Sequence, residues 1–111
     1  ERVDCELPLA VIDTELCEAI RAAGPFGVGF EAPRFIARDC VVERTRVLKA
    51  RHLALTLSQA DARRDAIAFG WGPHEPPRRA RIDCIFVPQL DVFRGETRVK
   101  MHIERFWRHS F

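Results

Sequence analysis

A segment rich in glycine and proline, residues 24–35, constrains the fold of this chain more than any other feature. It holds three glycines and two prolines in twelve residues, a density that the interior of a helix or of a central strand does not tolerate. Apolar residues follow a helical period before this segment and a two-residue period after it. The pattern predicts a hinge between a connector at residues 1–33 and a β domain at residues 34–111.

The connector is predicted to form an extended segment followed by one short helix. Apolar residues occupy every second position along residues 3–9, as they do in a strand. Asp13 is a residue type that caps helix N-termini, and Gly24 with the following proline ends the helix. Its apolar stripe is predicted to be Leu16, Ile20 and Ala23.

The β domain is predicted to be a closed barrel. Five stretches with the two-residue period are separated by turn and loop signals: residues 35–49, 51–57, 63–69, 81–87 and 99–103. The first is long and mixed in character, which predicts a bend or a bulge. A hairpin turn is expected at residues 58–62, and loops at 70–79 and 91–96. The predicted fold class is therefore mainly β: a five-stranded OB-type barrel preceded by a short helix and an extended N-terminal segment. A five-stranded SH3-like barrel or a small sandwich is the alternative.

The formal net charge of +2 conceals an asymmetry along the chain. Residues 1–31 carry two arginines against seven acidic residues, and residues 32–111 carry the other 16 basic residues against nine acidic ones. A basic domain favours a polyanionic partner, because binding releases counterions. An ordinary solvated surface rich in arginine is the alternative interpretation.

Two motifs that suggest chemistry are excluded by their surroundings. Gly27-x-Gly29-x-x-Ala32 fits a dinucleotide-binding pattern, but that site needs a preceding strand and a following helix. Here a helix precedes the pattern and Pro33 follows it. The four histidines have no spacing typical of a zinc site.

The remaining polar and thiol side chains within apolar stretches are interpreted as structural. Cys5, Cys17, Cys40 and Cys84 are widely spaced and no secretory signal is visible, so we read them as reduced, small apolar core residues of a cytosolic protein. Asp83 lies within an apolar strand and is predicted to bond to backbone or to an arginine. No apolar stretch is long enough to span a membrane.

The order of these motifs resembles the C-terminal part of the bacterial exonuclease RecJ. That family has a Pro-Phe-Gly-x-Gly-Asn-Pro-x-Pro-x-Phe motif just before its OB-type domain. Phe30 and Glu31 replace its Asn-Pro here, and the matching residues are Pro25, Phe26, Gly27, Gly29, Pro33 and Phe35. Residues 51–57, 66–70, 81–88 and 90–95 resemble the later strands and a loop of that domain, and residues 3–9 resemble the end of the preceding catalytic region. The family's paired-aspartate and Asp-His-His metal motifs are absent, so the chain looks like a C-terminal piece.

The resemblance implies a single-stranded-DNA-binding domain of a 5′-to-3′ single-strand-specific DNA exonuclease in DNA repair and recombination. It implies a bacterial, cytoplasmic and nucleoid-associated protein, with Mn²⁺ or Mg²⁺ in the catalytic core and with no cofactor, metal site or catalytic residue in this piece. Expected partners are single-stranded DNA, single-strand-binding protein and the protein's own catalytic core, and no membrane. The alternative is a protein-interaction module that binds the acidic tail of single-strand-binding protein or clamps the catalytic core.

OB folds bind single strands across their second and third strands, bordered by the loops between strands one and two and between four and five. On this basis the candidate nucleic-acid-binding residues come from three loops and the fifth strand: Lys49, Arg51, His52, Trp71, Arg78, Arg79, Phe93, Arg94, Arg98 and Lys100. Alternative roles are a barrel plug for Phe93, a lid over the core for Trp71, and a solvated strand face for Arg98 and Lys100.

Overall fold

The alternating apolar pattern after residue 34 folds into a closed β-barrel in the computed structural model, which describes residues 3–24 and 32–110. A helix, α1, spans Thr14–Ala23, and short 3-10 turns span Leu9–Val11 and Gly72–His74. The strands are β1 (Cys5–Glu6), β2 (Phe35–Leu48), β3 (His52–Gln59), β4 (Ala62–Ala68), β5 (Arg81–Phe93) and β6 (Glu96–Arg108). The predicted hinge falls mainly on residues 25–31, which lie outside the described residues.

The strand order confirms the predicted five-stranded OB-type barrel. The barrel runs β2-β3-β4-β6-β5 and closes by pairing β5 with β2. Among the described strand pairs of the barrel only β4–β6 is parallel, and β1 pairs in parallel with β2 on the outside. The predicted irregularity of the first barrel strand is also present: β2 shifts register between Ala37 and Cys40, with Asp39 at a φ of 55°, and again between Val42 and Arg44.

The barrel interior is filled by the inward positions of each strand. Leu53, Leu55 and Leu57 of β3 are buried, and they face other buried side chains such as Phe86 and Met101. Side chains of successive strand residues point to opposite faces, so the residues between these apolar positions lie on the barrel exterior.

The connector contributes directly to this core. Leu9 and Ile12 are fully buried within the same apolar cluster as the barrel. The Leu9 backbone N–H donates to Gln59 Oε1 at 2.9 Å, and Arg64 Nε donates to the Ile12 carbonyl at 2.6 Å. These bonds satisfy backbone groups that would otherwise be buried without partners. The division of the chain at residue 33 stays a prediction.

The predicted helix is confirmed, with one change to its buried face. The Asp13 side chain accepts a hydrogen bond from the Leu16 N–H at 2.8 Å and caps the N-terminus. Cys17 is buried and Ile20 packs on the barrel core, whereas Ala23 is exposed. The helix is not long enough to cross a membrane, and neither is any other helix in the described residues.

Two predicted connections are shorter than expected. The loop predicted at residues 91–96 is a tight turn at Arg94 and Gly95, both with positive φ, between two strands of 13 residues each. A two-residue turn of this kind continues the twist of a hairpin and needs no loop. The turn predicted at residues 58–62 is likewise confined to Ala60 and Asp61.

The cysteine interpretation is wrong for one residue. Cys17, Cys40 and Cys84 are buried, but Cys5 is exposed, and all four are free thiols. Cys5 is exposed because it sits on the short outer strand β1, which adds to the barrel edge without entering the core.

Candidate nucleic-acid interface

A basic surface covers the exterior of four neighbouring barrel strands, and we call it the strand face. Cross-strand pairing arranges its residues in two rows. One row is Arg46, Ala54, Ile67 and His102, and the other is Arg44, Thr56, Asp65 and Lys100. Their neighbours along each strand, such as Leu55, Ala66 and Met101, point into the core.

A groove runs across the strand face because its middle strand carries small side chains. Ala54 and Thr56 lie between the arginines of β2 and the lysine of β6, which leaves a cavity of about 310 Å³. Arg44 and Arg46 have no ion pair with any of the described residues, whereas Lys100 lies 3.3 Å from Asp91. The groove is therefore positively charged, since Asp65 is the only acidic residue among the described residues that line it.

An exposed aromatic ring stands at one end of the strand face. Phe69 follows β4 and is 58% exposed, and its ring meets those of His52 and His102 at 5.3 and 5.8 Å in edge-on geometry. His52 Nδ1 accepts the Gly70 N–H at 3.0 Å, which fixes the orientation of the imidazole. Burial, and then the charge of Lys100, lowers the pKa of His102. Phe69 thus offers an exposed aromatic ring of the kind on which a base can stack.

The β2–β3 turn adds two of the predicted cations to this end. Lys49 and Arg51 are exposed and make no ion pair within residues 3–24 and 32–110. The turn is held by Gly72, whose N–H donates to the Arg51 carbonyl at 2.9 Å. A Cβ at Gly72 would lie 2.8 Å from that carbonyl group, so only glycine allows this approach. Lys49, Arg51 and His52 are therefore brought together with the strand face.

The β4–β5 loop does not place its predicted residues together. Trp71 is half-buried against the core, with its ring 4.8 Å from that of Phe106, so it covers the barrel interior as a lid. Arg79 Nη1 lies 3.0 Å from Glu43 Oε1, and the backbone N–H of Arg79 donates to the Val42 carbonyl at 2.7 Å. Arg78 is exposed and has no ion pair in the described part of the chain.

The tip of the β5–β6 hairpin carries the remaining predicted residues. Phe93 is 50% exposed and lies outside the core, which excludes a barrel plug. The guanidinium carbons of Arg94 and Arg98 lie 5.2 and 5.3 Å from its ring centroid, and Arg98 also pairs with Glu96 at 3.0 Å. By strand alternation Phe93 and Lys100 lie on one face of the hairpin, about 13 Å apart along it.

Comparison with known proteins identifies the family of this barrel. The family model of the RecJ OB domain matches residues 3–105. This chain belongs to the RecJ OB-domain family. Membership supports a nucleic-acid-binding role for the barrel. A comparison with curated proteins finds no match.

Solved structures show the same fold. The chain is similar to RecJ from Thermus thermophilus in complex with Mn²⁺, at 17% identity and a TM-score of 0.76. It is also similar to a putative aspartyl-tRNA synthetase from Leishmania major Friedlin, at 8% identity and 0.66, over 96% of this chain and 21% of that one. A third similar structure, a replication protein A heterotrimer bound to single-stranded DNA, has 13% identity and a TM-score of 0.53, over 75% and 62% of the two chains. The match to RecJ covers 98% of this chain but only 16% of the RecJ chain.

The structure of this RecJ OB domain adds residues that sequence reasoning missed. Arg44 and Arg46 add exposed charge to the strand face, and Phe69 and the partly buried His102 add aromatic surface. The alternation Arg-Thr-Arg-Val at residues 44–47 was the available signal for the two arginines. Phe69 and His102 are neighbours only through the parallel β4–β6 register, which no local pattern encodes.

The buried acid of the RecJ OB domain has a structural role, as predicted. Asp83 accepts hydrogen bonds from the Asp39 N–H at 2.8 Å and from Arg38 Nη1 at 3.3 Å, and it lies 2.7 Å from His109 Nδ1. Asp39 also accepts two hydrogen bonds from Arg81, and hydrogen bonding to this guanidinium holds the pKa of Asp39 below its usual value. Within the described ranges, no three His, Cys, Asp or Glu side chains are grouped so that they could hold a metal ion.

Proposed function

We propose that this domain binds single-stranded DNA along the strand face. The observation that carries the proposal is the pair Arg44 and Arg46, which have no acidic partner in the described residues and flank a groove with a floor of small side chains. Arginine forks bind phosphate oxygens, and a groove of this kind accommodates a backbone while its bases reach neighbouring aromatic rings.

The proposed strand runs between the two loops that border the strand face. Lys49 and Arg51 flank it at the Phe69 end, and Phe93 and Arg94 extend it along the β5–β6 hairpin. Phe69 stacks on one base, and Phe93 is a second stacking position, whose ring already lies against two guanidinium groups. Arg98 and Lys100 add charge, although both are partly compensated by acidic neighbours. Trp71 and Arg79 lie outside this path.

The wider proposal concerns the whole protein. Residues 1–33 connect the barrel to the metal-dependent catalytic core of a 5′-to-3′ DNA exonuclease that acts in DNA repair and recombination in the bacterial cytoplasm. The barrel binds and guides the strand, and the core, with Mn²⁺ or Mg²⁺, cleaves it. Family membership supports this context. Incubation of the domain with labelled single-stranded DNA and either ion should leave the DNA at full length.

A second candidate function is protein binding on another side of the barrel. A cavity of about 500 Å³ is lined by Pro76, Pro77, Ile82 and Trp107, with Arg79, Arg81 and Arg108 among its other residues. An apolar cavity with neighbouring cations suits an acidic peptide that carries one apolar side chain, such as the tail of single-strand-binding protein. A labelled acidic peptide should then bind wild-type domain and lose affinity in Arg108→Gln, which should leave DNA binding unchanged.

The deciding experiment is a salt-dependent titration of labelled oligo(dT). Each phosphate contact contributes about 0.7 to the log–log salt slope for single strands. The double variant Arg44→Gln/Arg46→Gln should therefore flatten the slope by about 1.4. Arg21→Gln/Arg105→Gln changes the net charge equally at sites away from the groove and should keep the slope. Absence of oligo(dT) binding at low salt, or equal slopes in the two double variants, would overturn the proposal.

A further inference from the structure

A second polar cavity adjoins the strand face at the end opposite Phe69. We call it the arginine pocket. It has a volume of about 430 Å³ and is lined by Glu43, Arg44, Thr45, Arg63 and Arg78. Its three arginines come from three separate elements: strand β2, the start of β4, and the β4–β5 loop. The sequence pattern did not predict that these three arginines lie together.

The three guanidinium groups of the arginine pocket lack acidic partners. Arg44, Arg63 and Arg78 make no ion pair with any residue in the ranges that the structure describes. Glu43 is engaged elsewhere, because it accepts from the Ser58 hydroxyl and lies 3.0 Å from Arg79. The Ser58 bond, together with the charges of Arg79 and Arg63, lowers the pKa of Glu43, so this carboxyl is ionised but already paired with a fourth arginine.

Three like charges around one cavity repel each other, and Glu43 offsets only part of this charge because it already pairs with Arg79. Each guanidinium presents a planar fork of N–H donors that matches the oxygens of a phosphate group. A tetrahedral anion with several acceptor oxygens can receive bonds from three directions at once. A carboxylate with two oxygens would leave part of this donor set unused, so phosphate is the better fit.

We propose that the arginine pocket binds one phosphate group. Arg44 and Thr45 line both this pocket and the groove of the strand face, so the two cavities are adjacent. Resting on the proposed function, the inference is that the strand continues past Thr56 and Asp65 and places a backbone phosphate between Arg63 and Arg78. A free inorganic phosphate or pyrophosphate presents the same chemistry, and the test separates these sources.

The test compares Arg63→Gln/Arg78→Gln with Arg21→Gln/Arg105→Gln, which carries the same charge change elsewhere. Both pairs of substituted side chains are exposed, so the melting temperature should not fall. Labelled oligo(dT) is titrated in lengths from about 4 to 16 nucleotides, the range that one OB fold covers. For the longer oligonucleotides the pocket variant should lose about 0.7 from the salt slope, the contribution of one phosphate, so its affinity relative to wild type changes about threefold between about 50 and 200 mM salt. The shortest oligonucleotides, held by the groove alone, should show a smaller change.

The outcomes distinguish failure of the pocket from failure of the strand proposal. If wild type binds oligo(dT) and the pocket variant matches the control variant at every length, the pocket is refuted and the strand face stands. If wild type binds no oligo(dT), the proposed function fails, and calorimetric titration with pyrophosphate and inorganic phosphate decides the pocket. Binding that is lost in Arg63→Gln/Arg78→Gln but kept in the control supports a free-phosphate site. No binding by wild type, or equal binding by both variants, overturns it.

Discussion

Truncation of Phe69 should separate base stacking from charge attraction on the strand face. Phe69 is 58% exposed, so less than half of its side chain is shielded from water. Full burial of a phenylalanine stabilises by about 1.5–3 kcal/mol, and the buried fraction here therefore stabilises by roughly 1 kcal/mol. Phe69→Ala should lower the free energy of unfolding by about that amount and leave the domain folded.

The expected effect on DNA binding is larger than the effect on folding. Loss of one base–aromatic stack costs about 1–3 kcal/mol, which corresponds to a fall in oligo(dT) affinity of roughly 5- to 150-fold. Phe69 carries no charge, so the salt slope should stay the same and the affinities of mutant and wild type should differ by one factor at all salt concentrations. Phe69→Leu keeps an apolar side chain without a π-face and should lose affinity in the same way.

The assay is a fluorescence titration at several salt concentrations beside a thermal melt of each variant. Val92→Ala is the matched control, because Val92 is an exposed apolar residue whose strand position points away from the side that carries Phe93 and Lys100. Base stacking on Phe69 is refuted if Phe69→Ala binds oligo(dT) as tightly as wild type. It also fails if Phe69→Leu and Val92→Ala lose affinity to the same extent, since that would indicate a general loss of apolar surface.

Three further predictions use other features of this site. Phe93→Ala should weaken oligo(dT) binding by about 1–3 kcal/mol with a nearly unchanged melting temperature, and a large fall in melting temperature with normal affinity would contradict the exposed position of Phe93. The pKa of folded His102 is lowered below its usual value of about 6.5, so this residue stabilises the fold above that pH and its contribution is lost as the pH falls through the folded pKa. Protonation of His102 in the same pH window should strengthen oligo(dT) binding. His102→Gln should remove this pH dependence of affinity. Gly72→Ala should lower the free energy of unfolding by about 1–3 kcal/mol, because the new methyl group meets the Arg51 carbonyl, and a chemical-denaturation midpoint equal to that of wild type would refute that close contact.

Much of the fold was predictable because the barrel strands have one face exposed to solvent and one face buried in the core. The alternation of Leu53, Leu55 and Leu57 with polar neighbours identified β3 and its inward side, and Asp13 located the start of α1. Strand ends were predicted less well. Asp91 and Gly95 suggested a long loop, whereas a two-residue turn with positive φ at Arg94 carries the strands to the tip.

The site was only partly predictable because it is assembled by register. Loop cations such as Lys49 and Arg51 could be placed beside the barrel from the fold class alone. The groove depends on Arg46 standing opposite Ala54 in the next strand, and the Phe69 cluster depends on a parallel pairing between segments more than 30 residues apart. Such pairings follow from the closure of the barrel and are not encoded in any window of neighbouring residues.

The burial of Leu9 and Ile12 beneath the barrel has a mechanical consequence. Because these residues belong to the barrel's own core and β1 is hydrogen-bonded alongside β2, a pull on the chain near residue 4 acts on the barrel within a few residues. The parallel β1–β2 pairing resists such a pull in shear, with its bonds loaded together and not one after another. A displacement at this end of the described chain is therefore transmitted to the barrel that carries the strand face, because no flexible linker lies between β1 and the barrel core.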